Sequence, residues 1–193
     1  MRIIKEAHKL LLTGVRDSSR DPGNLRRIQN WIGRPGSTIE EAEYIPISAD
    51  KLPDAISDWE KFIHEDYPDP LVQLSILHVE FEALHPFLDG NGRMGRLFVP
   101  LFLYSRNLIK RPILYISAYL EEHRDEYYAR LLAVSRDDDW YGWCKFFLTA
   151  IASQAETNQK MAVEILQLYD EMKITLTNMI KSQYSAYAVE WIF

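Results

Sequence analysis

The sequence predicts an all-α fold, a helical bundle in which only one short segment mixes in β character. Two observations carry this expectation. Apolar residues recur three and four apart along most of the chain. Helix-starting and helix-ending residues bracket those stretches, most clearly the pair Asp69-Pro70 and the proline after His85. Hydrophobic residues make up 47% of 193, enough for a core, and the length suits one domain with an appendage.

In chain order, Ile3 to Val15 reads as an amphipathic helix and Asp17 to Gly36, rich in Gly, Asp, Ser and Arg, as loop. Ser37 to Ile47 is short and mixed and is expected to form a small β-hairpin. Ala49 to His64 is helical, with Leu52, Ile56, Trp59, Phe62 and Ile63 as its buried face. Asp69 is an N-cap with proline at the first helical position. From Leu71 the residues Leu74, Leu77, Phe81 and Leu84 form the next apolar stripe, widened by Ile76 and Val79. Pro86 pushes His85 toward extended geometry, so this helix ends at Leu84 or His85. A second apolar helix runs from about Arg93 to Asn107, and Pro100 within it removes the hydrogen bond to the Arg96 carbonyl and predicts a kink. Arg111-Pro112 leads into a helix over Ile116 to Leu132, and Asp139 to Tyr184 is one or two long helices.

Net charge is −6, which argues against a general nucleic-acid binder and leaves room for a small nucleotide held by local arginines. No apolar run reaches membrane-span length, and Met1 to His8 lacks the apolar core of a signal peptide. Cys144 is the single cysteine, so a reducing cytoplasm fits best. The first helix begins abruptly and Trp191-Ile192-Phe193 is apolar for a free tail, so both ends read as trimmed.

The run from His85 to Arg96, His-Pro-Phe-Leu-Asp-Gly-Asn-Gly-Arg-Met-Gly-Arg, holds nearly every part that phosphate chemistry needs. His85 can accept a proton near neutral pH. Asp89 can hold Mg²⁺, which takes few carboxylates and keeps waters. Gly90-Asn91-Gly92 can turn amides inward at a helix N-terminus, a ready anion site. Arg93 and Arg96 lie on one helical face, where they can fork onto phosphate oxygens.

This run resembles the signature loop of Fic-domain proteins, His-Pro-Phe-x-(Asp/Glu)-Gly-Asn-Gly-Arg-x-x-Arg, and meets every specified position. Residues 26–33 and 42–46 resemble the segment before and within that family's target-docking flap. Glu126-Tyr127-Tyr128 through Trp140 resembles its adenine-side helix. The resemblance implies a Fic-type helical bundle over about residues 1–150, with a core of 45–150 and a flap of 37–47 beside the active-site loop, followed by a truncated helical extension over 151–193. It implies a protein adenylyltransferase that moves AMP from ATP to a Ser, Thr or Tyr hydroxyl of a target protein. His85 would be the base and Asp89 the Mg²⁺ ligand. Amides near Gly90, Asn91 and Gly92, the Asn91 side chain and the neighbourhood of Gly95 would hold phosphates. Arg93 would neutralise the leaving pyrophosphate and Arg96 grip the γ-phosphate. Phe87 would plug the loop into the core, and Tyr127 or Tyr128 would stack on adenine.

The flap residues Glu41, Ala42, Glu43, Tyr44 and Ile45 would dock the target by backbone pairing. Many relatives carry an inhibitory helix with (Ser/Thr)-x-x-x-Glu-(Gly/Asn), whose glutamate occupies the second loop arginine. Here Ser37 and Glu41 have the spacing, but Ala42 follows. Such a helix would lie upstream of Met1 or on a separate partner; a homodimer is compatible with the same scheme. Relatives with this loop also move UMP or phosphocholine, or remove AMP, and those alternatives stay open. A metal hydrolase built on His85-x-x-x-Asp89 needs further ligands that no second motif supplies, and a non-enzymatic interaction module sits poorly with an intact loop. His8, His64, His78 and His123 read as structural or surface residues, the tryptophans as core or rim, and Cys144 as a small buried hydrophobe.

Overall fold

The computed structural model describes residues 2–13, 21–34 and 36–179. Among the described residues lie seven α-helices: α1 (Arg2–Leu12), α2 (Leu52–His64), α3 (Pro70–Leu84), α4 (Asn91–Ser105), α5 (Ser117–Glu122), α6 (Arg124–Asp137) and α7 (Trp140–Met179). The expected helix ends at Val15 and Tyr184, and the terminal Trp191-Ile192-Phe193, lie outside the described residues. The chain divides into two compact units, Met1–Ile151 and Ala152–Phe193. In the second, α7 exposes Met161, Ile165 and Leu168. No described helix is long and apolar enough to cross a membrane.

The first unit is built around α3. Its N-cap Asp69 accepts hydrogen bonds from the Leu71 amide (2.8 Å) and the Val72 amide (3.3 Å), satisfying donors that a helix start leaves unpaired. Beyond that cap α3 is buried on most sides, because it packs on α2, α4 and α6. Two tryptophans anchor it from neighbouring helices. Trp59 Nε1 donates to the Leu77 carbonyl and Trp143 Nε1 to the Ser75 carbonyl, each at 2.8 Å. Their rings fill the space beside Phe81, Phe98 and Phe147, so each indole contributes buried apolar area and a satisfied N–H together. Cys144 is half-buried, its Sγ 3.1 Å from Ser75 Oγ.

Two elements differ from the expectation. The flap does not form a two-stranded hairpin. Residues 39–41 close a 3₁₀ turn in which the Thr38 amide donates to Glu41 Oε2 at 3.1 Å, and the extended part is one isolated antiparallel bridge between Ile32 and Tyr44. Pro46 has no N–H to carry a ladder further. The helix expected over Ile116 to Leu132 is two helices, α5 and α6, that meet at His123. There the backbone leaves helical geometry (φ −108°, ψ 35°), while the imidazole Nδ1 takes the Tyr119 carbonyl at 3.0 Å and the ring stacks on Tyr119. A side chain that bonds its own backbone in this way competes with helix continuation. Helix α4 begins at Asn91, two residues before the expected start, and continues through the buried Pro100.

Candidate active site

Helix α3 ends where His85 turns left-handed (φ 44°, ψ 59°), and α4 begins after Gly90 (φ 78°, ψ 6°). The sequence expectation for His85 was extended geometry before proline; the left-handed turn found instead costs a non-glycine residue about 1–2 kcal/mol. Polar side chains from the preceding loop offset it. Arg26 donates through Nε to the His85 carbonyl (3.0 Å) and through Nη2 to the carbonyls of Leu84 (3.3 Å) and Ile47. Its own amide donates to the Pro86 carbonyl at 2.9 Å. Asn30 Nδ2 adds bonds to the carbonyls of His85 (3.2 Å) and Phe87 (3.1 Å). A cation among the last carbonyls of a helix is also favoured by the helix dipole.

The loop is clamped from two further sides. Asn91 Oδ1 accepts from the Phe87 amide and its Nδ2 donates to the Phe87 carbonyl, both at 2.8 Å. The Asn91 carboxamide therefore bonds both polar groups of Phe87 and braces the loop from inside. From α1, His8 stacks face to face on Phe87 (centroids 3.8 Å apart, planes within 7°). Its Nδ1 accepts from the Gly23 amide at 2.9 Å, and its Nε2 meets the Asp89 carbonyl at 2.8 Å. A carbonyl only accepts, so the Nε2–H tautomer is the one this geometry holds, and with Nδ1 accepting the ring is neutral; burial lowers the His8 pKa in the same sense.

The chemically competent groups face outward from this frame. His85 lines a cleft bounded by the flap, α3, α6 and Gly92. Burial drives its pKa down to about 4, against the opposing pull of the Glu82 carbonyl and Asp89. Nδ1 lies 3.4 Å from that carbonyl, so Nδ1 carries the proton and Nε2 keeps the free pair. Asp89 Oδ1 accepts from the Gly90 amide at 2.7 Å, while Oδ2 is 3.8 Å from Arg93 Nη2. The Gly90 amide is thus committed to Asp89. The first α4 amide to bond within the helix is that of Met94, to the Gly90 carbonyl. The amides of Asn91, Gly92 and Arg93 are thereby left at the positive end of the helix. Asp89, with one oxygen not hydrogen-bonded, and these amides fit Mg²⁺ carried on a phosphate, since one carboxylate plus phosphate oxygens and waters completes such a shell.

Tyr127 and Tyr128 divide their roles. Tyr127 is buried, its hydroxyl 3.0 Å from His78 Nε2; Tyr128 is 43% exposed and lines both the His85 cleft and an adjoining polar hollow that holds Arg96 and Arg124. In the flap, Tyr44 exchanges backbone bonds with Ile32, and the Glu43 amide also goes to Ile32. Glu43 and Tyr44 line the cleft, whereas Glu41 and Ala42 belong to the 3₁₀ turn and its end. Ile45 is exposed beside Tyr44. Gly95 does not face the cleft opening. It is buried against α3, where a Cβ would collide with Glu82 Oε1.

Four residues shape the site without a site role assigned from sequence: His8, read only as structural or surface, Arg26 and Asn30, placed only in the segment resembling the flap region, and Glu82. His8 had a signal, since it lies in line with Ile4 and Leu12 on the apolar stripe of α1. Glu82 had one as well, a charge inside an apolar stripe. For Arg26 and Asn30 the role at the loop had no local signal, because the His85 carbonyl they bond lies more than 50 positions away.

The Fic/DOC family model matches residues 1–103. Among curated proteins, the chain is 28% identical over 141 residues to the protein adenylyltransferase fic-1 of Caenorhabditis elegans, covering 70% of this chain and 24% of that protein. The chain therefore spans about a quarter of the length of that relative. Among solved structures it resembles a Fic family protein from Desulfovibrio desulfuricans, with a TM-score of 0.71, 27% identity, and coverage of 83% of this chain and 47% of the other. It also shares the fold of a fragment of C. elegans Fic-1, at a TM-score of 0.61 and 24% identity, over 84% of this chain and 44% of that one.

Replacing His8 with alanine removes two hydrogen bonds and a buried ring stack. The expected loss is about 2–3 kcal/mol by chemical denaturation, together with faster hydrogen exchange at the amides of 89–93. An unchanged exchange rate there would separate α1 from the loop.

Proposed function

Because the chain belongs to the Fic/DOC family, we propose that it is a protein adenylyltransferase, moving AMP from Mg²⁺-bound ATP to a Ser, Thr or Tyr hydroxyl of a target protein. The observation that carries this reading is a neutral His85, its Nε2 pair free, in one cleft with the flap and the α4 N-terminus. The target hydroxyl oxygen attacks the α-phosphorus, the bond to the β-phosphate oxygen breaks, and pyrophosphate leaves. His85 Nε2 takes the hydroxyl proton. Asp89 would hold magnesium, which when bound neutralises the phosphate charge. The phosphates meet the amides of Asn91, Gly92 and Arg93, a narrower cradle than the loop sequence implies, since the Gly90 amide and the Asn91 carboxamide are committed within the loop. Arg93 stands beside Asp89 to balance charge on the leaving group, and Arg96, among the described residues in no ion pair, is available to the γ-phosphate. Positioning and charge neutralisation carry most of such a transfer. Tyr128, at the cleft rim, is the better placed of the two tyrosines to stack on adenine. A catalytic domain over 1–150, an appended helical region over 151–193 and a cytoplasmic setting complete the reading.

His85→Ala is expected to reduce AMP transfer by on the order of 10²-fold or more while calorimetry still registers ATP binding. The wild-type chain given Mg·ATP alone should gain the mass of AMP by intact-mass spectrometry. Label arriving from γ-labelled ATP and not from α-labelled ATP would assign terminal phosphate transfer instead. The lowered pKa also sets a sign: the free base persists below the usual histidine range, so kcat/KM should hold from pH 7 down past 6 and fall only on approach to about 4.

Ile45→Pro tests the docking edge. Tyr44 already bonds Ile32, so proline at 44 would damage the flap itself, whereas proline at 45 removes only the next amide. Target modification should drop about tenfold or more with ATP binding intact. A target modified at the wild-type rate would place docking elsewhere.

A further inference from the structure

Three residues before His85, Glu82 projects from α3 toward the first turns of α4. It is 8% exposed, and its Oε1 has no hydrogen-bond partner. A buried carboxylate without partners is costly unless a nearby charge or a ligand repays it. Two glycines one turn apart on α4 make the room it occupies. A Cβ at Gly95 would collide with Oε1, and a Cβ at Gly92 would stand 4.0 Å from Oε2. The same Gly92 position is only 3.2 Å from Arg96 Nη1. Carboxylate and guanidinium thus both approach the same point of α4, without forming an ion pair, and Arg96 is close enough to act on the charge of Glu82. Burial raises the Glu82 pKa to about 7, with Arg96 as the force opposing that rise. Tyr127, on α6, faces both groups, and it too is held above its ordinary value by burial and by Glu82. His78, one turn back on α3, is buried beside them and stays neutral, its pKa lowered to about 3.

We propose that Glu82 is a positioning residue for Arg96: seated in the notch between Gly92 and Gly95, its carboxylate holds the guanidinium over Gly92 and so sets the preference for a nucleoside triphosphate over a diphosphate. This rests on the reading of Arg96 as the γ-phosphate contact. It also gives Gly95 its reason, as the residue whose missing side chain admits Glu82. A purely structural role would need only a group of the same shape at 82. The positioning role needs the ionised carboxylate, the form that prevails above its raised pKa of about 7, so the calorimetry below is run at pH 8.

The test is calorimetry of Mg·ATP and Mg·ADP with the 193-residue chain and its variants Glu82→Gln, Glu82→Asp, Arg96→Ala and the double variant Glu82→Gln with Arg96→Ala. Glu82→Gln keeps the shape and should melt no lower than wild type, yet lose the ATP preference by on the order of tenfold. Glu82→Asp, which retains the charge, should keep most of it. In the Arg96→Ala background Glu82→Gln should cause no further loss, since both act through one guanidinium. A wild-type ATP preference in Glu82→Gln, or a loss that adds in full to that of Arg96→Ala, overturns the proposal. Gly95→Ala provides an independent arm should Glu82→Gln fail to fold: displacing the carboxylate with both charges kept should also lower the preference, and an unchanged preference overturns the proposal. A wild-type chain that transfers AMP but never prefers ATP to ADP would instead remove Arg96 from the γ-phosphate, and this inference with it. A wild-type chain that binds neither nucleotide would overturn the adenylyltransferase reading.

Discussion

A helix that ends inside a protein leaves its last carbonyls without partners, and the whole site follows from how α3 disposes of its own. Water cannot reach them freely, and the chain turns away at once through Pro86. The carbonyl of Leu84, the last residue of α3, and those of His85, Pro86 and Phe87 just beyond it are met by Arg26, Asn30 and Asn91. Those bonds support the left-handed His85, and the left-handed turn sends the imidazole into the cleft instead of along the helix. Without Arg26 and Asn30 the same residues could relax toward extended geometry before proline, and the base would face elsewhere.

Burial then decides charge. His8, His78 and His85 are all held below the ordinary histidine value by desolvation, but to different ends. His8 stays neutral to bridge Gly23 and Asp89. His78 serves the core between Tyr127 and Trp143. His85 alone lines the cleft, where neutrality leaves a pair to accept a proton. The arginines stay charged whatever their surroundings, so the site pairs uncharged bases with permanent cations. That is a suitable division for a reaction that must neutralise phosphates without protonating its own base.

The helices around the loop were legible because local rules govern them: Asp69 and Pro70 start α3 where capping predicts, and Leu74, Leu77, Phe81 and Leu84 do lie in the core. The order of groups from His85 to Arg96 reads as phosphate chemistry and is the basis of the proposed function. Features set by distant partners were not legible. Among the described residues the flap pairs as β structure where Ile32 reaches Tyr44 across the loop. His123 divides an apparently continuous helix by stacking on Tyr119, and Arg26 acts on carbonyls far along the chain. Periodicity carries no trace of such pairings, because each needs the folded backbone before its residue type means anything.

Asn91 and Gly95 sharpen the point, since both sit inside the loop that reads as pure chemistry. A pattern of residues records every constraint on a segment at once, and contact with a ligand is only one of them. Asn91 offers a donor and an acceptor at the spacing that one peptide unit, Phe87, requires. Gly95 offers the absence of an atom where α3 brings a carboxylate. The Asn91 carboxamide and the missing Gly95 side chain both serve the protein side of the loop, behind the groups that line the cleft. On the proposed reading the groups that meet phosphate are few: three amides at a helix N-terminus, Arg93, Arg96 and the cation that Asp89 would hold. Catalysis by positioning needs little more than this, provided that the frame behind those groups does not move.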